Sequence, residues 1–239
     1  MNDHDLVDTG EMYLKAVLEL EEEGVVPLRA RLVERFDQSG PTVSQTVDRL
    51  RRNNLLDLGG DRQLVLTESG RATAGNVMRK HRLTEVFLHQ VVGLEWPLLH
   101  TEACRWEHVI SDHTESLVAQ LLGHPRYSPY GNPIEAGVSA GTENLVRHDG
   151  HEPIRIAWIG EPLQADPSAL QELMDQGLTP GATVTVTERH TSGVTLVNAE
   201  DAGVRLSGQV ARHIFVAPVG ADLSGIPGAG EPRTLAAQV

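Results

Sequence analysis

Residues 38–66 read Gln38-Ser-Gly-Pro-Thr-Val-Ser-Gln-Thr-Val-Asp-Arg-Leu-Arg-Arg-Asn-Asn-Leu-Leu-Asp-Leu-Gly-Gly-Asp-Arg-Gln-Leu-Val-Leu66. Gln38-Ser39-Gly40-Pro41 is a tight turn, and Pro41 suits a helix start because the N–H it lacks has no intrahelical partner there. The spacing predicts a helix over 41–53, with Val43, Val47 and Leu50 at i, i+4 and i+7 as its buried stripe. Thr42, Gln45, Arg49 and Arg52 fall on the opposite face. Two apolar runs follow, Leu55–Leu58 and Gln63–Leu66, joined by Gly59-Gly60-Asp61-Arg62, which is a β-hairpin signal. Upstream, Asp8-Thr9-Gly10-Glu11 reads as a helix start, with a capping residue and an acid three positions on. Tyr13, Val17 and Leu20 continue at helical spacing, and Gly24 ends that helix. Pro27 opens a second helix that runs to about Phe36. Three short helices and a hairpin, in this order, are the elements of a winged helix-turn-helix.

The charge of the whole chain argues the other way at first. Its 239 residues carry a net −13, and a DNA-binding surface must neutralise phosphates. The acidity is uneven, however. Residues 1–24 hold one Lys against eight Asp and Glu, whereas residues 25–55 hold six Arg against Glu34, Asp37 and Asp48, a local +3. With 40% apolar and 22% charged residues the chain builds cores and lies outside the disordered class; at 4% aromatic those cores are aliphatic. No apolar run has the length of a membrane span, the first residues are acidic, unlike a signal peptide, and a single Cys excludes an intrachain disulfide. The expectation is a soluble, cytoplasmic protein with no membrane partner.

Beyond the hairpin, Thr67-Glu68-Ser69-Gly70 starts a long helix ending near Gly93, and Trp96-Pro97 starts another ending near Gly123. Residues 124–153 are rich in Pro and Gly and read as loop and linker. Short β-like runs follow at Ile154–Ile159, Thr183–Thr187, Val194–Val197, Val204–Leu206 and Ile214–Val216, with one short helix at Pro167–Gln176, a pattern that predicts a small β-barrel. The tail from Val219 repeats Gly and Pro and reads as mobile. The fold class is thus mainly α with a β C-terminal domain.

Two constellations carry chemistry. On the helix from 41, Thr42, Ser44 and Gln45 are placed to face a groove, with Ser39 and Pro41 at the helix end where phosphates are drawn. Gln45 suits base edges, and Arg29, Arg49, Arg52 and Arg62 suit phosphates. The plain alternative is a solvated helix with scattered arginines. The second constellation is His100, Cys104, Glu107 and His108, which fall within a roughly 100° arc if one helix carries them all. His81 and Glu85 form an i, i+4 pair on the preceding helix. Facing helices can complete a metal site from such pairs. The plain alternatives are a cysteine packed in a core and a surface His–Glu pair. The remaining histidines (4, 89, 113, 124, 148, 151, 190 and 213) read as surface or loop residues. Imidazole and carboxylate with one sulfur suit Fe²⁺, Co²⁺ or Ni²⁺ better than Mg²⁺ or Ca²⁺.

Six longer stretches resemble the diphtheria toxin repressor family of iron-dependent repressors. They are Leu6-Val-Asp-Thr-Gly-Glu-Met-Tyr-Leu14, Leu20-Glu-Glu-Glu-Gly-Val25, Pro27-Leu-Arg-Ala-Arg31, Gln38-Ser-Gly-Pro-Thr-Val-Ser-Gln-Thr-Val47, Val77-Met-Arg-Lys-His-Arg-Leu83 and His100-Thr-Glu-Ala-Cys-Arg-Trp-Glu-His-Val109. The likeness is close over about 5–135 and looser over 153–216. It implies a winged helix-turn-helix over 1–73, a helical dimerisation and metal domain over 74–140, a linker over 141–152, an SH3-like domain over 153–218 and a flexible tail over 219–239. It implies an activating metal site of Met12, Cys104, Glu107 and His108, and an ancillary site of His81, Glu85 and His100. Glu161-Pro-Leu-Gln164 fits the Glu-x-x-Gln pattern by which the third domain adds two ligands, Glu161 and Gln164. Arg82, Ser128 and Asn132 resemble an anion-binding set beside the ancillary ion. Gly10 departs from the family's usual threonine, which is expected to loosen the start of the first helix.

The function so implied is an Fe²⁺-dependent repressor, with two ions per subunit and Co²⁺, Ni²⁺, Mn²⁺ or Zn²⁺ as substitutes. It binds a pseudo-palindromic operator as a homodimer, with two dimers on one operator as a further arrangement, and controls iron-acquisition and iron-homeostasis genes. The alternatives are a manganese-dependent regulator of the same family, a regulator sensing a small organic ligand, and a two-metal hydrolase. The chain is read as no enzyme, because no Gly-rich phosphate loop, Gly-x-Ser-x-Gly or His-Glu-x-x-His accompanies the ligands.

Overall fold

In the computed structural model, which describes residues 3–137 and 141–227, the helix read from Asp8 begins earlier, as α1 Asp3–Glu22. Gly10 therefore lies inside the helix, and the expectation of a loosened start does not hold. A Cβ at Gly10 would stand 3.4 Å from a methyl of Leu50, so the bare Cα lets α1 and the helix that carries Leu50 approach. Gly24 ends the segment at φ +67°, a left-handed conformation that glycine adopts without strain. Pro27 lies just outside the second helix, α2 Arg29–Phe36, whose N-cap is the extended Leu28. Helix α3 Gly40–Arg52 has Ser39 as its N-cap, with Oγ accepting from Thr42 N at 3.3 Å and Pro41 in the first turn. The hairpin is β1 Leu56–Leu58 with β2 Leu64–Leu66, antiparallel, with Leu56 opposite Leu66.

The described residues divide into two units, one drawn from Met1–Lys80 with Glu135–Val138, the other from His81–Ile134 with Ser139–Val239. In the first, Leu14, Val17, Leu32, Val43, Val47, Leu50 and Leu64 form one aliphatic core. Tyr13 is 1% exposed; its ring stacks on Phe36 at 4.7 Å and its hydroxyl donates to Gln38 Oε1 at 2.5 Å. The short 135–137 segment rejoins this unit, where Gly137 N donates to Glu22 Oε1 at 2.8 Å and Arg79 pairs with Glu135.

Helix α4 Glu68–Phe87 continues into a wider π turn over Leu88–Val92, and Gly93 ends it at φ +81°. His89 in that turn is 3% exposed, so it is a buried residue and not the surface one expected. The second long helix is in fact two, α5 Leu99–Trp106 and α6 Asp112–Leu121. Ser111 caps α6, its Oγ accepting from Thr114 N at 3.2 Å, and this local bond wins over continued helix. His108 is therefore off the helix, and the arc computed for one continuous helix does not apply to it.

The C-terminal part comprises β3 Glu143–Asn144, β4 Ile154–Ile159, α7 Glu161–Gln164, α8 Pro167–Asp175, β5 Thr183–His190, β6 Gly193–Val197, β7 Gly203–Ser207, α9 Gly208–Ala211 and β8 Ile214–Pro218. The strands make one antiparallel sheet in the order β3-β8-β4-β5-β6-β7. Residues 124–153 are more ordered than a linker reading implies: Tyr130 and Leu145 are fully buried and β3 pairs with β8. Leu88, Trp96, Leu99 and Tyr130 share one core with Ile156, Val184 and Leu196 of the sheet. The described tail residues pack too. Ala221 and Leu223 lie against the stacked rings of Trp158 and Phe215, and Asp222 pairs with Arg126 at 3.3 Å. Residues 228–239 of the predicted tail lie outside the described residues. Among the described residues no helix is long and apolar enough to cross a membrane.

Candidate metal centre

Three helices bring ligand-type side chains together in the second unit. Helix α4 carries His81 and Glu85 one turn apart on one face; α5 carries His100 and Cys104 one turn apart; α7 carries Glu161 and Gln164 at i, i+3. His81 Nε2 stands 2.9 Å from Glu85 Oε1 and 3.1 Å from His100 Nδ1. His100 Nδ1 stands 3.3 Å from Glu161 Oε2 and 3.7 Å from Glu85 Oε1. Donors about 2.1 Å from a common ion stand roughly 3.0–3.4 Å from their neighbours in octahedral or tetrahedral geometry. The spacings here therefore fit a cation among these four side chains.

The hydrogen bonding fits as well. His81, Glu85, Glu161 and Gln164 are all buried. Gln164 Oε1 receives no hydrogen, and the Glu85 carboxylate meets the His81 and His100 rings only in poorly aligned contacts. Buried acceptors in this state are costly unless a proton or a cation meets them. In the protein alone a proton does part of this work. Burial pulls the His100 imidazole down, but its bonds to Cys104 and Glu85 outweigh burial and raise its pKa from 6.5 to about 9. For Glu85, burial pushes upward and is outweighed by His81 and His100, so its carboxyl titrates below the usual range.

Were His100 to ligate a metal ion, the ion would need the imidazole lone pair and binding would expel this proton. At pH 7, Co²⁺ binding is expected to release about one proton per subunit from His100, and the release is expected to fade as pH passes about 9. Calorimetry in buffers of different ionisation enthalpy reads this directly; a binding enthalpy independent of buffer at pH 7 contradicts it. The stability sign follows. The raised pKa stabilises the metal-free fold fully below pH 6.5, and this contribution is lost as pH rises through about 9.

Glu107, Cys104 and His108 adjoin the same cluster. His81 Nδ1 is 2.6 Å from Glu107 Oε2, and Glu107 Oε1 is 3.2 Å from His108 Nε2. Cys104 Sγ is 3.5 Å from His100 Nε2, and ligand atoms of His81, His100 and Cys104 lie within 4.8 Å of one another. Both imidazoles thus have one nitrogen toward the Glu85–Glu161 donors and the other toward Glu107 or Cys104. Met12 belongs to the first unit and is 41% exposed. Arg82 is fully buried, with Nη1 donating to Pro133 O at 2.7 Å and Nη2 3.7 Å from Glu161 Oε1. Ser128 Oγ accepts from Tyr130 N at 3.2 Å, and Asn132 Oδ1 accepts from Gln164 Nε2 at 3.0 Å.

One supporting residue escaped the sequence reading. Tyr130 Oη donates to Trp96 O at 2.7 Å and accepts from His100 N at 3.2 Å, satisfying a first-turn N–H of α5. Its only signal was a place in the Ser128-Pro-Tyr-Gly-Asn-Pro stretch.

In the first unit, Pro41, Thr42, Gln45, Arg52 and the hairpin-turn residue Arg62 are exposed, while Ser44 and Arg49 are half-buried. Ser39 is occupied as the cap of α3, and Arg29 pairs with Asp48 at 2.7 Å.

Comparison with known proteins is consistent along the chain. Residues 5–64 match the iron-dependent repressor N-terminal DNA-binding domain, 67–136 the iron-dependent repressor metal-binding and dimerisation domain, and 144–218 the FeoA domain. The chain is 47% identical over 229 residues to the iron-dependent repressor IdeR of Mycobacterium tuberculosis, covering 90% of this chain and all of that one. It is 41% identical over 226 residues to the diphtheria toxin repressor of Corynebacterium glutamicum, covering 90% of this chain and 98% of that one. Among solved structures, ScaR with bound Cd²⁺ is similar with a TM-score of 0.77 at 26% identity, over 87% of this chain and 99% of that one. A manganese-dependent transcriptional repressor in complex with manganese is similar with a TM-score of 0.74 at 27% identity, over 87% and 99%.

Proposed function

Because the chain belongs to the iron-dependent repressor family, we propose that it is an Fe²⁺-activated transcriptional repressor, which binds pseudo-palindromic operator DNA as a homodimer and controls iron-acquisition and iron-homeostasis genes. The observation that carries this reading is the buried cluster of His81, Glu85, His100 and Glu161, whose donor types and spacings suit a divalent cation.

The reading includes two ions per subunit, supported by the two adjoining groups of ligand-type side chains around His81 and His100. His81, Glu85, His100, Glu161 and Gln164 hold one ion. Met12, Cys104, Glu107 and His108 hold the other, the activating one. A bound ion supplies a cross-link among side chains of separate elements, with no redox or hydrolytic step. The chain's own residues do the rest. Gln45 and Thr42 meet base edges and Arg52 and Arg62 meet phosphates, with Ser39, Pro41, Ser44, Arg49 and Arg29 framing the same face. Arg82, Ser128 and Asn132 remain the candidate anion set. Dimerisation would place two such faces at one half-site separation, with a second dimer on the same operator as a further arrangement.

A manganese-dependent regulator is the second reading, supported by the manganese named for one of the similar structures. The thiol of Cys104 beside His100 favours Fe²⁺, since sulfur is a soft ligand and Mn²⁺ prefers oxygen. Anaerobic fluorescence anisotropy with a palindromic operator, titrated with Fe²⁺ and with Mn²⁺, separates the two. Activation at lower Fe²⁺ than Mn²⁺ is expected; the reverse order refutes the iron assignment.

A further inference from the structure

We propose that Asn132 is a positioning residue for the metal cluster, holding the Gln164 amide so that its oxygen is left as the free ligand atom. This rests on the reading of Gln164 as a ligand given above. An amide has one acceptor oxygen and an NH₂ with two hydrogens, and its two ends have the same shape. Here the neighbours settle which end is which. Gln164 Nε2 lies 2.6 Å from Ile159 O, a carbonyl that can only accept. The same nitrogen lies 3.0 Å from Asn132 Oδ1. Both hydrogens are thereby used. Turning the amide over would set oxygen against oxygen at both places. Gln164 Oε1 is left buried with no hydrogen to accept, in a residue that is 0% exposed and on the same face of α7 as Glu161.

Ile159 O alone would leave one hydrogen without a partner and the amide free to rock about the first bond. Asn132 removes that freedom, and its own position is fixed. Its carbonyl accepts from Ser128 N at 2.8 Å, its neighbour Tyr130 accepts from Ile159 N at 3.0 Å, and its side chain is 2% exposed. The loop from Ser128 and the strand end that leads into α7 are therefore tied together, and Asn132 is the side chain that carries this tie to the ligand. Its side chain accepts from Gln164, the opposite polarity from a contact to an anion.

The test is Co²⁺ binding by calorimetry on the full chain in a His108→Ala background, which removes a ligand of the other ion. Asn132→Leu is expected to weaken binding about tenfold, the usual scale for a residue that orients a ligand. Gln164→Ala is expected to weaken it at least as much, and the two changes together no more than Gln164→Ala alone, because one acts through the other. Asn132→Asp, which keeps an acceptor in place, is expected to retain binding. Unchanged binding in Asn132→Leu, or additive losses in the double variant, overturns the proposal; losses that track added phosphate assign Asn132 to an anion instead. Unchanged binding in Gln164→Ala removes the ligand reading itself, and the proposal with it. A measurement on the unsubstituted protein keeps the test independent of folding. Both Gln164 side-chain amide protons are expected to exchange slowly with solvent by NMR, and fast exchange of either overturns the proposal.

Discussion

Combining Met12→Ala with His108→Ala is expected to leave the protein folded and to erase the gain in operator affinity brought by Fe²⁺, about a hundredfold at the upper end of usual coupling energies. Folding survives because neither side chain is core. Met12 is 41% exposed, and His108 lies beyond the last turn of α5. The size of the loss reflects where each ligand is anchored. Met12 is followed in α1 by Tyr13, which points the other way and is buried; its ring packs on Phe36 and its hydroxyl reaches Gln38, one residue before the cap of α3. A ligand at Met12 would thus be mechanically continuous with α3 inside one unit. By linkage, the operator tightens Fe²⁺ binding by the same factor that Fe²⁺ tightens operator binding, and both gains vanish together in the double variant. Anisotropy with Fe²⁺ and with chelator measures the first gain, and Fe²⁺ titration with and without operator measures the second. A double variant that still responds to Fe²⁺ like the parent removes Met12 and His108 from the activating site. Equal affinity of the parent with Fe²⁺ and with chelator removes metal activation altogether.

What the sequence reveals and what it hides follow the range of the interactions involved. Helix α3, the hairpin and the five longer strands are set by signals within a few residues, and each lies within a residue or two of its expected place, except β5, which runs on to His190. The break between α5 and α6 also had a local signal, Ser111 with Thr114 and Glu115, but apolar spacing continued across it and masked the cap. Gly10 shows the opposite case. Its local reading as a helix loosener is overruled by the approach of Leu50, forty positions away. The metal cluster was legible as residue types and i, i+4 pairs. Its continuity was not, because the 2.6 Å contact of His81 with Glu107 joins residues 26 positions apart, and the Tyr130 contact with His100 joins residues 30 apart. No periodicity within either segment encodes such a meeting.

Gly131→Ala is expected to be strongly disruptive, lowering stability by about 3 kcal/mol or more. Two independent reasons add. Gly131 sits at φ +83°, where an L side chain is strained, and a Cβ there would stand 2.0 Å from Ala157 O, a backbone atom that cannot swing aside. That carbonyl belongs to β4 at its bulge, where the pairing with β8 shifts register between Ile156 and Trp158. The loop and the bulge fit only if the loop residue lacks a side chain. Backing the loop away to make room would carry Tyr130 from Trp96 O and His100 N, Pro133 from Arg82, and Asn132 from Gln164. Cation affinity of the cluster should therefore fall together with stability. Gly75→Ala provides the contrast: it lies within α4, meets nothing within 4 Å, and should stabilise by up to about 1 kcal/mol through helix propensity. Urea unfolding of the metal-free protein measures both changes, and Co²⁺ titration measures the loss at the cluster. If Gly131→Ala unfolds at the parent's urea midpoint, the close approach to Ala157 is not a feature of the folded protein. If it is destabilised but binds Co²⁺ like the parent, the loop carries the fold without holding the ligands.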